Sequence, residues 1–283
     1  MQMKSVAIVG VGLIGGSIGL AARGRGGVER IVGIGRSRKR LERAVEVGAV
    51  TDIVCLSDDL QAGLADVELV VVCTPVGLIV EQIRQLAECA QPGTLFTDGG
   101  STKASIAKAL DGPLANDCRF LGSHPLAGSE KTGVTHARAD LFEDRVAMIT
   151  PTKNSREEDV ERLATFWNSL GAKVVRITPE EHDRAMASTS HMPHAVAVAL
   201  AASLPDEFVK LTGTGFGDTS RLAAGDPDMW QQIFLDNRKH VGDSIRRFSE
   251  QLQQLADLIE DADADALDRY LTQAKKRRDA LGS

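Results

Sequence analysis

His124 stands in the polar, glycine-bearing segment Gly122-Ser123-His124-Pro125-Leu126-Ala127-Gly128-Ser129-Glu130, directly after a short apolar run. An imidazole titrates near neutral pH, so it can take the proton of a hydroxyl while hydride leaves the carbon that carries it. A second polar segment, Gly99-Gly100-Ser101-Thr102-Lys103, also follows an apolar run and supplies a hydroxyl at Ser101. Arg221 sits among small residues after the glycine-rich stretch Gly213 to Asp218, which reads as a loop. A guanidinium in such a place suits bidentate capture of a carboxylate. His191 and His194 are three apart and share one helical face, with His182 upstream. No Asp, Glu or Cys stands at a familiar zinc spacing and the helix is otherwise apolar, so no metal is expected.

A hydride needs an acceptor, and the N-terminus offers a place for one. Val6 to Val9 reads as a buried strand, and Ile14, Ile18, Ala21 and Ala22 have helical spacing. Between them lies Gly10-Val11-Gly12-Leu13-Ile14-Gly15, a Gly-x-Gly-x-x-Gly turn in the strand–turn–helix context of a dinucleotide site. Gly10 permits the turn, Gly12 lets a pyrophosphate approach the backbone, and Gly15 lets helix and strand pack closely. The helix N-terminus offers amide N–H groups to the phosphates. The next strand, Arg30 to Gly35, ends without the Asp or Glu that would receive an NAD ribose; Arg36, Ser37, Arg38 and Lys39 follow. These cations favour NADP. The same residues also read as the solvated start of a helix, which leaves NAD open.

Val67 to Cys73 and Thr94 to Asp98 are further strands, with a helix after each. Alternating strands and helices predict a doubly wound parallel sheet of Rossmann type. Its ligands bind beyond the carboxyl ends of the strands, at Thr74-Pro75, at Gly99 to Lys103 and at the His124 segment. Met148 to Pro151 and Lys173 to Ile177 read as the last strands, flanking a helix stopped by Gly171. From Pro179 only helical periodicity remains. The boundary is therefore placed near 178, with a dinucleotide-binding domain over 1–178 and an all-α domain over 179–283. Pro193 should kink or restart the first long helical stretch, and the apolar AVAVALAASL that follows reads as buried on several faces. A helix is read from Phe248 to Ile259, and Asp261, Asp263 and Asp265 read as a solvated helix start.

The 283 residues can bury a large core without staples. A net charge of -6 gives no support for nucleic-acid binding, and no uncharged apolar run is long enough for a membrane span. Four scattered cysteines and no signal-peptide pattern fit a reducing cytoplasm.

GVGLIGGS, DGGSTK and GSHPLAGSE, in this order, resemble the prephenate/arogenate dehydrogenase family of tyrosine biosynthesis. The resemblance covers nearly the whole chain. It implies NAD(P)-dependent oxidative decarboxylation of prephenate, of its amino analogue arogenate, or of both. By it, His124 is the base and Ser101 hydrogen-bonds the same hydroxyl or the imidazole. Arg221 holds a substrate carboxylate, His194 contacts substrate with His191 in support, and Glu130 is an acid near the pocket. Gly10, Gly12, Leu13, Ile14, Gly15, Arg36, Ser37, Arg38, Thr74 and Pro75 hold the cofactor. Ser220-Arg221 stands where the family has Thr-Arg, which keeps the hydroxyl. Trp230 and Asn237 also match the family pattern, Trp230 as packing at the edge of the site. The helical domain is expected to form a homodimer. The alternatives are a β-hydroxy-acid dehydrogenase of the same general build, which typically relies on a helical-domain lysine, and a non-catalytic NADP sensor.

Overall fold

The computed structural model describes residues 3–128 and 131–282. Its first layer is a parallel sheet of six strands: β1 (Ser5–Val9), β2 (Arg30–Gly35), β3 (Asp52–Cys55), β4 (Leu69–Val72), β5 (Leu95–Asp98) and β6 (Arg119–Phe120). Their spatial order is β3-β2-β1-β4-β5-β6. The central strands are continuous apolar runs because helices cover both faces. α1 (Leu13–Gly24), α2 (Arg38–Glu46), α3 (Leu60–Gly63), α4 (Val76–Ala87) and α5 (Ala104–Leu110) make the crossovers. Val6, Ile8 and Val71 point into one core, with Ile18 and Trp167. Ala7, Val9 and Val72 point into the other, with Ile79, Ile83 and Phe96. This is the alternation of a strand with a period of two. The chain leaves β1 toward β2 on one side and pairs with β4 on the other, so a crevice opens at the carboxyl ends of β1 and β4.

A smaller mixed sheet follows. β7 (Gly122–Pro125) pairs antiparallel with β8 (Val146–Thr150), which pairs parallel with β9 (Lys173–Arg176). α6 (Glu157–Ser169) joins the last two, and Gly171 ends the turn after it at φ +92°. His124 therefore lies within a strand, opposite Met148, and not in a loop. The ladder to β8 extends the backbone, burying Ser123 and Pro125 and leaving His124 half-buried. β3 was not expected from the sequence; it is a half-exposed edge strand without a long apolar run.

The helical part begins at Thr178, whose side chain and that of Glu181 form a reciprocal cap on α7 (Pro179–Met186). One π-type turn, Ala187–His191, leads into α8 (Met192–Ala202), with Pro193 in its first turn. The missing proline N–H is thus accommodated by irregular backbone just upstream. α9 (Thr214–Ser220), α10 (Pro227–Asp236), α11 (Arg238–Glu260) and α12 (Ala264–Asp279) complete the chain. Three expectations change here. Gly213 to Asp218 is mostly helix, with Gly213 as the residue before the first turn. α11 begins ten residues before Phe248, at Arg238. On α8 only His194 and Ala197 are buried, and Val198 is 42% exposed, so much of the apolar helix faces outward from the single chain. Asp263 caps α12 as a helix start. No helix among the described residues is long and apolar enough to cross a membrane.

Candidate active site

The three post-strand segments meet in the crevice. Gly10 takes φ +85°, and its Cα packs so closely on Thr74 that a Cβ would lie 2.9 Å from Thr74 Cγ2. At Gly99 a Cβ would lie 3.6 Å from Cys73 Sγ, 3.8 Å from Ile14 Cγ2 and 3.9 Å from Pro125 Cδ. Ile14 of the glycine turn, the end of β4, the Gly99 loop and the residue after His124 are thus mutual neighbours. Gly15 has the packing role expected of it, because a Cβ there would strike the Gly10 carbonyl. Gly12 differs: a Cβ there would meet nothing within 4 Å. The first turn of α1, including Leu13, carries no acidic residue and no side-chain cap. An open glycine before uncapped amides fits a pyrophosphate.

At the far end of the crevice, Arg36, Ser37 and Arg38 lie exposed after β2. Ser37 caps α2 through the Arg40 N–H. Arg38 is not free, because its Nη2 donates to Asp58 Oδ2 at 2.8 Å, and Asp58 also accepts from the Cys55 N–H. A carboxylate is therefore present after all, delivered from beyond β3. Among the described residues Arg36 makes no ion pair.

His124 Nδ1 is 2.9 Å from His182 Nε2, and His182 Nδ1 is 2.8 Å from Asp183 Oδ1. The first residue belongs to β7 and the other two to α7. Asp183 Oδ1 also accepts from the Lys103 N–H at 2.8 Å, and Oδ2 from the Ala104 N–H at 2.9 Å. Burial disfavours that carboxylate, yet the bonds from His182, Ala104 and Lys103 hold its pKa below the usual carboxylate value. Burial lowers the pKa of His124 well below the ordinary 6.5, with added repulsion from His182, Lys103 and His191. His124 Nε2 makes no hydrogen bond among the described residues.

Beneath these rings the Lys103 ammonium and the Asp98 carboxylate form a fully buried ion pair. Asp98 is also bonded by the Gly100 and Ser123 amides. The Ser123 hydroxyl donates to the Asp98 carbonyl and accepts from Trp167 Nε1, so the strand beside His124 is pinned to the core. Ser101, two residues before Lys103, is half-buried at this same turn.

His191 is buried, and its Nδ1 accepts from Asn237 Nδ2 at 3.2 Å; the same amide donates to the Asp183 carbonyl at 2.7 Å. Burial pushes the His191 pKa down to about 4. His194 stacks on Trp230, and the chain passes under the pair at Gly225, where a Cβ would lie 2.9 Å from His194 Cε1. Arg221 opens the turn that leads to Gly225. It is exposed and makes no ion pair among the described residues, so the structure does not join it to His124. Glu130 lies outside the described residues. α10 ties the two parts together, as Gln232 accepts from the Gly77 N–H of α4 at 3.1 Å and Asp236 from Ser105 of α5 at 2.7 Å. By the family resemblance His182 and Asp183 belong, with Ser190 to His194, to a histidine-rich helix that lines the substrate pocket, whereas Lys103 and Gln232 carry no individual role in the sequence. The contact of His182 with His124 and the capping of Asp183 by the α5 amides have no local signal in the sequence.

The prephenate dehydrogenase nucleotide-binding domain family matches residues 18–176, and the prephenate dehydrogenase dimerization domain family matches 178–273. The chain belongs to the prephenate dehydrogenase family. A prephenate dehydrogenase of Bacillus subtilis (strain 168) is 33% identical over 288 residues, covering 99% of this chain and 77% of that protein. The prephenate dehydrogenase of Aquifex aeolicus, solved with hydroxyphenyl propionate and NAD+, is 30% identical with a TM-score of 0.86 and covers 99% of both chains. The Synechocystis arogenate dehydrogenase is 30% identical with a TM-score of 0.81, covering 98% of this chain and 99% of that one. As a family member, this prephenate dehydrogenase-like chain is an NAD(P)-dependent oxidoreductase built from a Rossmann-type domain and a helical domain.

Proposed function

We infer that the protein converts prephenate to 4-hydroxyphenylpyruvate, arogenate to tyrosine, or both, with His124 as the base. The observation that carries this is the arrangement of His124: one ring nitrogen is held by His182, the other has no hydrogen-bond partner among the described residues, and the adjoining Pro125 packs on the Gly99 loop beside Ile14. A nicotinamide bound in the crevice supplies the hydride acceptor for the ring carbon that carries the hydroxyl. Gly12 and the α1 amides bind its pyrophosphate, Thr74 and Pro75 line the β4 side, and Leu13 and Ile14 cover the turn. His124 takes the hydroxyl proton, with Ser101 hydrogen-bonding the same oxygen. The ketone left on the substrate then receives the electron pair freed as the ring carboxylate departs as carbon dioxide. Aromatisation drives that step, and the proton held on His124 is available to the phenolate. Arg221 holds a substrate carboxylate, while His194 and Glu130 border the pocket.

NADP is favoured over NAD, through Arg36 and Ser37, with Arg38 contributing once it turns from Asp58. The chain divides at residue 178, and the outward apolar face of α8 pairs two copies into a dimer. Four unpaired cysteines fit the cytoplasm.

The test mixes purified protein with prephenate or arogenate, each with NAD or NADP, and follows near-ultraviolet absorbance of the reduced nicotinamide. Reduction is expected with at least one pair, and with NADP faster than NAD. His124→Asn should lower kcat by roughly 10²–10⁴-fold, the usual worth of a general base, and leave cofactor binding intact. Full turnover by that variant, or silence in every mixture with cofactor bound, overturns the reading.

A further inference from the structure

We propose that His182 and Asp183 of α7 are positioning residues that fix the tautomer of His124, so that the helical domain keeps its Nε2 lone pair free for the substrate hydroxyl. This inference rests on His124 being the base.

The proton inventory leaves few choices. Asp183 accepts from three donors: the Lys103 amide, the Ala104 amide and His182 Nδ1. A carboxylate has no proton to offer, so His182 Nδ1 must carry one. In a neutral ring Nε2 is then an acceptor. His124 Nδ1, 2.9 Å away, must therefore be the donor, which leaves His124 Nε2 unprotonated. The reverse tautomer of His124 would set two lone pairs against each other across that contact. His182 accepts from His124 only while its own ring is neutral. Burial and the Lys103 ammonium both push its pKa below 6.5, although Asp183 pulls the other way.

Asp183 is itself held at every atom that matters. Its carboxylate is fixed by the α5 amides, and its carbonyl accepts from Asn237 Nδ2, which also bonds His191. The carboxylate thus reads the position of the nucleotide-binding domain while it orients a histidine of its own helix. His124 and its orienting pair lie on different domains, so the base is set only when α5 and α7 are docked.

His182→Leu removes the acceptor while filling the space. The expected result is a fall in kcat of roughly 10-fold or more, up to the about 10⁴-fold that the wrong tautomer costs in a comparable histidine relay. KM for both ligands and nucleotide affinity should stay near wild type. His182→Gln, whose Oε1 can accept from His124 Nδ1, should recover most of kcat. A long-range proton–nitrogen NMR spectrum of ¹⁵N-histidine-labelled protein reads the tautomer directly. Wild type should show His124 protonated on Nδ1, and His182→Leu should show a shift toward Nε2.

Full kcat in His182→Leu, equal losses in the Gln and Leu variants, or a wild-type His124 protonated on Nε2 would each overturn the proposal. If His124→Asn is inert in the same assay, only the role of His182 falls. If His124→Asn turns over fully, the reading beneath it falls as well.

Discussion

His194 and Trp230 stack ring on ring, with centroids 3.6 Å apart and planes 10° from parallel. Phe234 closes one side of the indole at 5.5 Å. The indole fixes the imidazole plane, and Gly225 makes room for both. An aromatic pair of this kind is worth about 0.5–1.5 kcal/mol beyond its buried area. Trp230→Leu should therefore raise the substrate KM by roughly 2- to 10-fold, the equivalent of that range, with nucleotide affinity unchanged. Steady-state kinetics with each ligand varied in turn would check it. An effect on nucleotide binding alone would show that Trp230 acts through Gln232 and α4.

Gly12 and Gly19 make a contrasting pair. A Cβ at Gly12 would meet nothing, whereas one at Gly19 would strike the Ala49 carbonyl. Gly12→Val should leave Tm near wild type and abolish nucleotide binding. Gly19→Ala should lower Tm, and any loss of binding should follow from unfolding. Thermal melts with and without nucleotide separate the two outcomes.

The Lys103–Asp98 pair is fully buried. Removing one partner strands a charge, at a cost of about 3–5 kcal/mol. Lys103→Met should therefore destabilise the protein strongly in chemical denaturation. The double variant Lys103→Met with Asp98→Leu should recover part of that loss, unless the Gly100 and Ser123 amides that Asp98 serves are left unpaired at equal cost.

Four histidines with depressed pKa values set a pH dependence with a definite sign. The pKa values of His124, His182, His191 and His194 all lie below 6.5, led by burial in each case, with His191 at about 4. The folded state prefers the neutral rings. Their stabilising contribution is complete above pH 6.5 and is lost as pH falls toward the folded values, because the unfolded chain then takes up protons that the folded chain refuses. Tm should drop steadily on acidification below about pH 6.5. His124 stays neutral in the same range, so with His124 as the proposed base the acid limb of kcat/KM should lie below the ordinary histidine value. A limb at or above 6.5 would contradict the burial of His124.

Asp58 Oδ2 accepts from Arg38 Nη2 and occupies the guanidinium that the NADP reading assigns to a cofactor phosphate. Asp58→Asn keeps an acceptor for the Cys55 amide while removing the charge. It should strengthen NADP binding a few-fold relative to NAD, measured by fluorescence titration of both cofactors. An unchanged ratio would place Arg38 outside the ribose site.

The parallel sheet and its binding loops are legible in the sequence because their signals are local. An apolar run followed by glycines or by Thr-Pro marks a strand end that faces a ligand. Elements that borrow stability from elsewhere are not. β3 is an edge strand whose partner, Val32 to Gly35, lies about twenty residues upstream and whose own residues are half exposed. α9 starts just after Gly213 and carries two glycines of its own, Gly215 and Gly217, so its sequence reads as a loop. Asp58 and Arg38 are 20 positions apart, and Asp183 lies 80 from the Lys103 amide it caps. No periodicity encodes such meetings, so the relay behind His124 emerges only when two helices from different parts of the chain are packed together.

α5 owes its first-turn cap to a carboxylate that the chain does not supply until α7. A chimaera that joins the nucleotide-binding half of this protein to the helical half of a relative would thus recombine the two sides of one hydrogen-bonded joint. Such a hybrid would hold dinucleotide and still be idle unless the donor brought an adjacent histidine and aspartate at the same place on its first helix. Crossovers within the second half, beyond α8, would spare that joint, although those before Asn237 would part Asp183 from the side-chain amide that bonds its carbonyl.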